Sequence, residues 1–169
     1  MITPIRWEAD RLLLLDQTLL PVEERVREYT RWRDVAESIR SLVVRGAPAI
    51  GCAAAFGVAL AARESRARDG QTLLADLEEA FKGLAATRPT AVNLFWALDR
   101  MRAVASAHQA LPVPALQLRL LGEAQAILEE DLAANHALGA HGARHAHLAL
   151  ALGGEHGEDQ EYQQDARSD

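Results

Sequence analysis

Residues 44–51 read Val-Arg-Gly-Ala-Pro-Ala-Ile-Gly, which places an arginine and a glycine directly before an apolar stretch. The first N–H groups of a helix have no helical partner and attract anions. Gly46 leaves the backbone open to a ligand, and Pro48 suits the first helical position because the N–H it lacks is not needed there. Arg45 adds a guanidinium that can donate two hydrogen bonds to one phosphate. The pattern predicts either a phosphate site made by Arg45 and the bare backbone at Gly46 or a solvated arginine before an ordinary core helix.

A second arginine, Arg88, precedes Pro89 and a predicted helix. The residue before a proline favours an extended backbone, so the Arg88 side chain can project toward the N-terminus of that helix. The alternative is an isolated loop arginine in solvent. Asn93, one turn into the helix, is expected to pack or cap locally. Together, Arg45 and Arg88 would balance the charge of a phosphate dianion.

Other reactive side chains give weaker signals. Cys52 lies inside the apolar run 49–62, where a thiol behaves as a small buried hydrophobe rather than as a nucleophile. His141 and His145 are four residues apart and share a helical face, a spacing that zinc sites use. Neither a cysteine nor a well-placed third ligand accompanies them, so the sequence predicts no metal site. With Cys52 interpreted as a buried hydrophobe, we predict no catalytic residue either.

The elements that must position these residues are three short strands followed by five helices, an α+β arrangement. The strands are predicted at residues 3–8, 11–15 and 24–29, with residues 9–11 as the turn between the first two. The first helix carries Val35, Ile39, Leu42 and Val43 at helical spacing. The remaining helices are predicted to start at Pro48 and to cover about 72–84, 91–108 and 112–136.

Three of these helices have a predicted packing surface. The second is apolar on all sides, so it should be surrounded, and its small residues Gly51, Ala54, Ala55 and Gly57 would let neighbours approach closely. The third should bury Leu73, Leu77, Ala80, Phe81 and Leu84. The fifth carries one apolar side formed by Leu118, Leu121, Ala124, Gln125, Leu128 and Leu132.

Composition limits the classes of function. The chain has 169 residues, 49% of them hydrophobic, which suits one domain with a real core. A net charge of −6 argues against a general nucleic-acid-binding surface. The longest apolar run is shorter than the ~20 residues of a bilayer span, and the first residues do not resemble a signal peptide. A single cysteine suits a reducing compartment, so we expect a cytoplasmic protein without membrane attachment.

Four ordered stretches resemble the methylthioribose-1-phosphate isomerases, a family related to the regulatory subunits of the eukaryotic initiation-factor-2B exchange factor. The resemblance covers about residues 1–145. Its stretches are residues 5–7 with 14–21, residues 45–51, residues 88–94, and Asn135 and Gly139 with residues 141–143.

This resemblance implies that Arg45, Gly46, Ala47 and Arg88 bind the substrate's phosphate, that no cofactor is needed, and that full-length relatives are homodimers. It also implies that residues 1–147 are the family's N-terminal domain and that the family's C-terminal Rossmann-like domain is missing. Residues 148–169 depart from the family and read as a divergent, disordered acidic tail. The resemblance further implies a catalytic cysteine, in a Thr-His-Cys-Asn-Ala-Gly motif, and a catalytic aspartate, both from the C-terminal domain. Both are absent here, so the chain alone is predicted to be inactive.

Two alternatives stay open at the level of sequence. A non-catalytic module that binds a sugar phosphate or a partner protein, like the exchange-factor subunits, would use the same fold. A ribose-1,5-bisphosphate isomerase would share both the fold and the chemistry. The residues Asp16-Gln17-Thr18 and Arg88-Pro89-Thr90 look more like the methylthioribose enzyme.

Overall fold

A computed structural model of the chain describes residues 3–153, with side chains described to residue 145. Within that range it contains a three-stranded antiparallel sheet followed by five helices, which confirms the predicted α+β class. The strands are β1 (Ile5–Glu8), β2 (Arg11–Leu15) and β3 (Val26–Tyr29). The helices are α1 (Trp32–Arg40), α2 (Ala47–Glu64), α3 (Gly70–Ala85), α4 (Val92–Ala107) and α5 (Val113–Gly153).

The sheet has the order β1-β2-β3, with Trp7 paired to Leu12 and Leu14 paired to Arg27. Ala9 and Asp10 both have positive φ, as a two-residue hairpin turn requires. The central strand β2 is buried from Leu12 to Leu15. The Trp7 ring stacks on Phe56 of α2 with 5.5 Å between ring centroids, so the sheet packs against that helix.

Helix α2 forms the centre of the core. All its residues from Ile50 to Ala62 are buried, which confirms the prediction of a surrounded helix. By length and composition α2 could cross a membrane, but here its apolar surface is covered by the other elements. Glycine permits the predicted close approach: a Cβ on Gly57 would lie 3.2 Å from the Leu84 side chain.

The predicted buried face of α3 is confirmed at all five positions. The predicted face of α5 is only partly right: Ala124 is buried and Leu121 and Leu128 pack against the core, but Leu118 is 71% exposed. The buried apolar residues described in this helix are Val113, Leu116, Leu120, Ala124 and Ile127. Both sets of residues repeat at helical spacing in a helix rich in leucine and alanine, so the pattern does not choose between them. Gln117 Nε2 donates to the Ala62 carbonyl oxygen at 2.8 Å, which orients α5 toward α2.

Residues Met1–Asp131 form one compact unit and Leu132–Asp169 a second. In the second unit the chain is helical as far as Gly153, well beyond the end predicted near His136, and its described side chains are exposed. Of the predicted acidic tail, residues 148–153 therefore belong to α5, and residues 154–169 lie outside the described residues. The domain boundary at residue 147 stays a prediction.

Candidate functional site

The N-terminus of α2 is an open helix end. Gly46 is the N-cap residue, with φ of 92°, a conformation that favours glycine, and no side chain caps the helix. The first helical hydrogen bond runs from the Ile50 N–H to the Gly46 carbonyl at 3.0 Å, so the N–H groups of Ala47 and Ala49 have no helical acceptor. Pro48 occupies the second helical position rather than the predicted first, where its missing N–H is equally unneeded. The exposed residues Gly46 and Ala47 leave this end accessible to an anion.

Arg45 is exposed directly before this helix end. Its Nε donates to the Leu42 carbonyl oxygen at 3.2 Å, and Leu42 has a positive φ of 63°. Among residues 3–145, whose side chains are described, Arg45 forms no ion pair with a carboxylate. Its terminal guanidinium nitrogens therefore stay available for an anionic ligand.

A buried carboxylate supports the segment that carries Arg45. Asp16 is fully buried and accepts hydrogen bonds from the Thr18 N–H at 3.0 Å, the Thr18 hydroxyl at 2.6 Å and Arg27 Nε at 2.7 Å. Burial by itself raises the pKa of Asp16, but the hydrogen bonds from Thr18 and Arg27 outweigh burial and leave the pKa below its ordinary value. The next residue, Gln17, donates its N–H to the Val43 carbonyl at 2.9 Å. The Asp16 loop is thus joined by hydrogen bonding to the segment that ends in Arg45.

Arg88 lies between α3 and α4 and is half-buried. Its carbonyl oxygen accepts a hydrogen bond from the Ala91 N–H at 3.0 Å, and Thr87 before it is anchored through its hydroxyl to the Leu84 carbonyl at 2.6 Å. Ala91 is the N-cap of α4 and supplies no capping side chain. The loop therefore fixes Arg88 just ahead of a second open helix end.

The starts of α2 and α4 lie together. A Cβ on Gly51 would be 2.8 Å from the backbone oxygen of Asn93, so the first turns of the two helices are in backbone contact. At the other end, Gly70, which begins α3 six residues after α2 ends, lies against the backbone of Gln109, two residues beyond α4. Six residues of chain are too short to reach the far end of an antiparallel α4. The two helices therefore run side by side in the same direction. Their positive ends, and the arginine that precedes each of them, face the same end of the pair.

A pocket of about 400 Å³ opens beside these first turns. It is lined by Pro48, Gly51, Cys52, Val92, Asn93, Trp96, Ile127, Glu130 and Asp131. Burial, with a smaller contribution from the Asp131 charge, raises the pKa of the Cys52 thiol to about 12. The burial of Cys52 is confirmed, and this raised pKa disfavours the thiolate form that a nucleophile needs. The sequence analysis missed the contribution of α5 to the pocket because Ile127, Glu130 and Asp131 lie outside the face predicted for that helix.

A second pocket, of about 420 Å³, lies at the β1–β2 turn. Its charged side chains are already paired: Arg63 with Asp10, and Arg11 with Glu28. Glu64 accepts the Trp32 N–H at 2.7 Å. Both arginines that line this pocket are therefore paired with carboxylates, so it offers an anionic ligand no unpaired cation.

The two histidines considered for zinc lie on α5. His145 Nδ1 is 3.1 Å from the His141 carbonyl oxygen, a contact within the helix. Among the described residues, no group of three His, Cys, Asp or Glu side chains is placed to hold a metal ion.

Comparison with known proteins finds a family model, curated relatives and solved structures that match this chain. Residues 43–152 match the model of the initiation factor 2 subunit family. The methylthioribose-1-phosphate isomerase of Syntrophotalea carbinolica is 51% identical over 142 residues, which are 84% of this chain and 41% of that protein. The enzyme of the same name from Thermosynechococcus vestitus is 49% identical, over 83% of this chain and 39% of its own length. The chain thus spans about 40% of the length of the curated relatives it matches.

Two solved structures are similar. The crystal structure of 5-methylthioribose 1-phosphate isomerase from Pyrococcus horikoshii OT3 superposes with a TM-score of 0.81 and 39% identity, covering 85% of this chain and 40% of that one. The delta subunit of translation initiation factor eIF-2B from A. fulgidus gives a TM-score of 0.71 and 40% identity, covering 78% of this chain and 38% of that one. The family model alone matches well over half of the sequence. This chain belongs to the initiation factor 2 subunit family.

Proposed function

We propose that this chain is the sugar-phosphate-binding part of a methylthioribose-1-phosphate isomerase, which converts 5-methylthioribose 1-phosphate to 5-methylthioribulose 1-phosphate in methionine salvage. Relatives of that name at about 50% identity support the activity. The observation that carries the binding role is the open N-terminus of α2, where Arg45, Gly46 and Ala47 lie at the same end of the α2–α4 pair as Arg88. Two guanidiniums and two positive helix ends would stabilise a phosphate dianion.

The reaction is an internal hydrogen transfer. The bond between C1 and the ring oxygen breaks, C2 loses its hydrogen and its hydroxyl proton and becomes a carbonyl carbon, C1 gains a hydrogen while keeping its phosphate ester, and the released ring oxygen gains a proton. Binding and orienting the phosphate assist this chemistry, but the transfer itself needs groups that exchange protons. Cys52, with a pKa of about 12 and an exposure of 1%, is unsuited to that role. We therefore assign proton transfer to the cysteine and aspartate that the resemblance places in the family's C-terminal domain.

A second candidate is a non-catalytic module. The similarity to the eIF-2B delta subunit from A. fulgidus is at nearly the same identity as the similarity to the isomerase from P. horikoshii, so the fold alone does not separate the two functions. A partner-binding module would show no sugar-phosphate affinity that depends on Arg45.

Calorimetric titration of the 169-residue chain with 5-methylthioribose 1-phosphate tests both candidates. Arg45→Ala removes the fixed charge at the α2 end, and we expect affinity to fall at least tenfold, the effect of losing one or two charge-assisted hydrogen bonds. Arg68→Ala is the matched control, because Arg68 is an equally exposed arginine in the α2–α3 connection, at the opposite end of α2. Equal binding by wild type and Arg45→Ala would contradict the proposal, and absence of binding by wild type would favour the partner-binding module.

Three further assignments accompany this proposal. We place the protein in the cytoplasm, without a membrane or nucleic-acid partner, on the basis of its net charge and its buried core helix. We assign residues 1–147 to the N-terminal domain and residues 148–169 to a divergent tail, whose first six residues continue α5. The full-length protein would be a homodimer, as the resemblance implies.

A further inference from the structure

The segment between α1 and α2 adopts an unusual backbone conformation just before Arg45. Leu42 has a φ of 63°, in the left-handed region that a leucine rarely adopts. The Val43 N–H donates to the Ser38 carbonyl oxygen at 2.9 Å, and the Leu42 N–H donates to the Ile39 carbonyl oxygen at 3.3 Å. These two bonds form the Schellman motif that ends many helices, and glycine is the usual residue at the Leu42 position. A leucine is held there because the surrounding structure fixes the segment.

The conformation at Leu42 orients the side chain of Arg45. The Leu42 carbonyl oxygen accepts the hydrogen bond from Arg45 Nε at 3.2 Å, so the direction of this peptide group decides where the guanidinium points. An arginine side chain that is already held in one direction loses less conformational entropy when an anion binds to it. The exposed Arg45 therefore depends on the backbone of its own segment for its orientation.

The Asp16 loop fixes this segment from the other side. The Val43 carbonyl oxygen accepts the Gln17 N–H at 2.9 Å, so both polar backbone groups of Val43 are engaged, one by α1 and one by the loop. The loop is held in turn by the buried Asp16 carboxylate, which accepts hydrogen bonds from Thr18 and Arg27. A continuous series of hydrogen bonds thus leads from this carboxylate to the residue that precedes the last two of the segment.

We propose that Asp16 is a positioning residue, which acts through Gln17 and Val43 to direct Arg45 at the anion. This inference rests on the proposed function. Charge alone predicts the opposite effect, since a carboxylate in the region of an anion site repels the anion. Removing the Asp16 charge should therefore weaken binding if Asp16 acts by positioning, and should strengthen binding or leave it unchanged if only its charge matters.

The test is calorimetric titration of the 169-residue chain and its variants with 5-methylthioribose 1-phosphate at neutral pH, with circular dichroism to verify that each variant is folded. Asp16→Asn should lower the affinity about fivefold. Glu28→Gln is the matched control, because it removes the same charge from β3, where the partner of Glu28 is Arg11. The affinity of this control should stay within about twofold of wild type.

Thr18→Val tests the same connection without changing a charge. Thr18 is exposed, and this variant removes only its hydroxyl, which donates to Asp16 Oδ1 at 2.6 Å. The affinity should fall about two- to threefold. This second variant keeps the inference testable if Asp16→Asn does not fold.

Combination with Arg45→Ala separates positioning from a general loosening of the fold. Because Asp16 acts through Arg45, Asp16→Asn should lower the affinity of the Arg45→Ala variant by less than about twofold. A purely structural role of Asp16 would lower the affinity by the same factor whether or not Arg45 is present.

The inference is overturned if Asp16→Asn and Thr18→Val bind as tightly as wild type or more tightly, or if Asp16→Asn weakens binding equally with and without Arg45. In these cases the wild-type affinity still depends on Arg45, so the proposed function stands. If the wild-type chain does not bind the sugar phosphate, or if its binding ignores Arg45, the proposed function fails and this inference fails with it.

Discussion

The contribution of Asp16 to stability can be measured without a ligand. Its side chain is buried, and its hydrogen-bond partners are Thr18 and Arg27. Asp16→Asn keeps the size of the side chain but removes the charge that Arg27 pairs with at 2.6 Å. We expect this variant to lower the free energy of unfolding at pH 7 by about 1–2 kcal/mol, a modest loss because Arg27 is half exposed and can return to water. Urea unfolding followed by circular dichroism measures it.

The pH dependence of that loss follows from the lowered pKa of Asp16. A carboxyl whose folded-state pKa lies below its unfolded value stabilises the fold above the unfolded pKa, and this stabilisation is lost as pH falls through the folded pKa. The difference in free energy of unfolding between wild type and Asp16→Asn should therefore be constant from neutral pH down to about 5 and shrink below about pH 4.

Glu28→Gln supplies the control for Asp16→Asn. Glu28 is also paired with an arginine, Arg11, but both side chains are about half exposed. Its loss should change the free energy of unfolding by less than about 0.5 kcal/mol. Equal effects of the two variants would mean that the burial of Asp16 contributes nothing to its ion pair.

Helices α2 and α4 place the candidate site by their close contact at Gly51. Gly51→Ala would put a Cβ 2.8 Å from the Asn93 backbone oxygen, and a backbone atom cannot move without moving α4. We expect about 1–3 kcal/mol of destabilisation from the overpacking, despite the higher helix propensity of alanine. Thermal and urea unfolding report the change.

Gly122 on α5 offers the matched comparison for Gly51→Ala. A Cβ there meets no atom within 4 Å, so Gly122→Ala should stabilise the protein by about 0.5–1 kcal/mol through helix propensity alone. If both alanine variants are stabilising, the prediction for Gly51 is contradicted. In that case α2 and α4 could move apart at Gly51 without a loss of stability.

At the scale of the whole molecule, the proposed function gives this chain the phosphate site and assigns proton transfer to groups outside it. We expect the purified 169-residue chain to bind 5-methylthioribose 1-phosphate and to show no isomerase turnover above background. Proton NMR of the sugar would detect the ketose product. A full-length methylthioribose-1-phosphate isomerase serves as the positive control. Turnover that is abolished by Arg45→Ala would contradict this prediction and would place the catalytic groups within these residues.

The sequence by itself determined the parts of the protein that depend on neighbours along the chain. The order of strands and helices, the surrounded helix α2 and the buried face of α3 follow from local hydrophobic periodicity and from glycine and proline signals. The motif at Arg45, for which we propose phosphate binding, is likewise local, since arginine, glycine and helix start are consecutive. The burial of Cys52 follows from the apolar run around it.

Only the tertiary structure decided what depends on residues far apart in sequence. The face that α5 buries was ambiguous because two sets of its residues repeat at helical spacing, and contacts with α2 at Ala62 and Cys52 chose between them. Because α2 and α4 pack in the same direction, the loops that carry Arg45 and Arg88 lie at the same end of the helix pair. The pocket joins residues from three helices up to 83 positions apart, from Pro48 to Asp131. Such long-range contacts are set by how whole elements pack, and no local pattern encodes them.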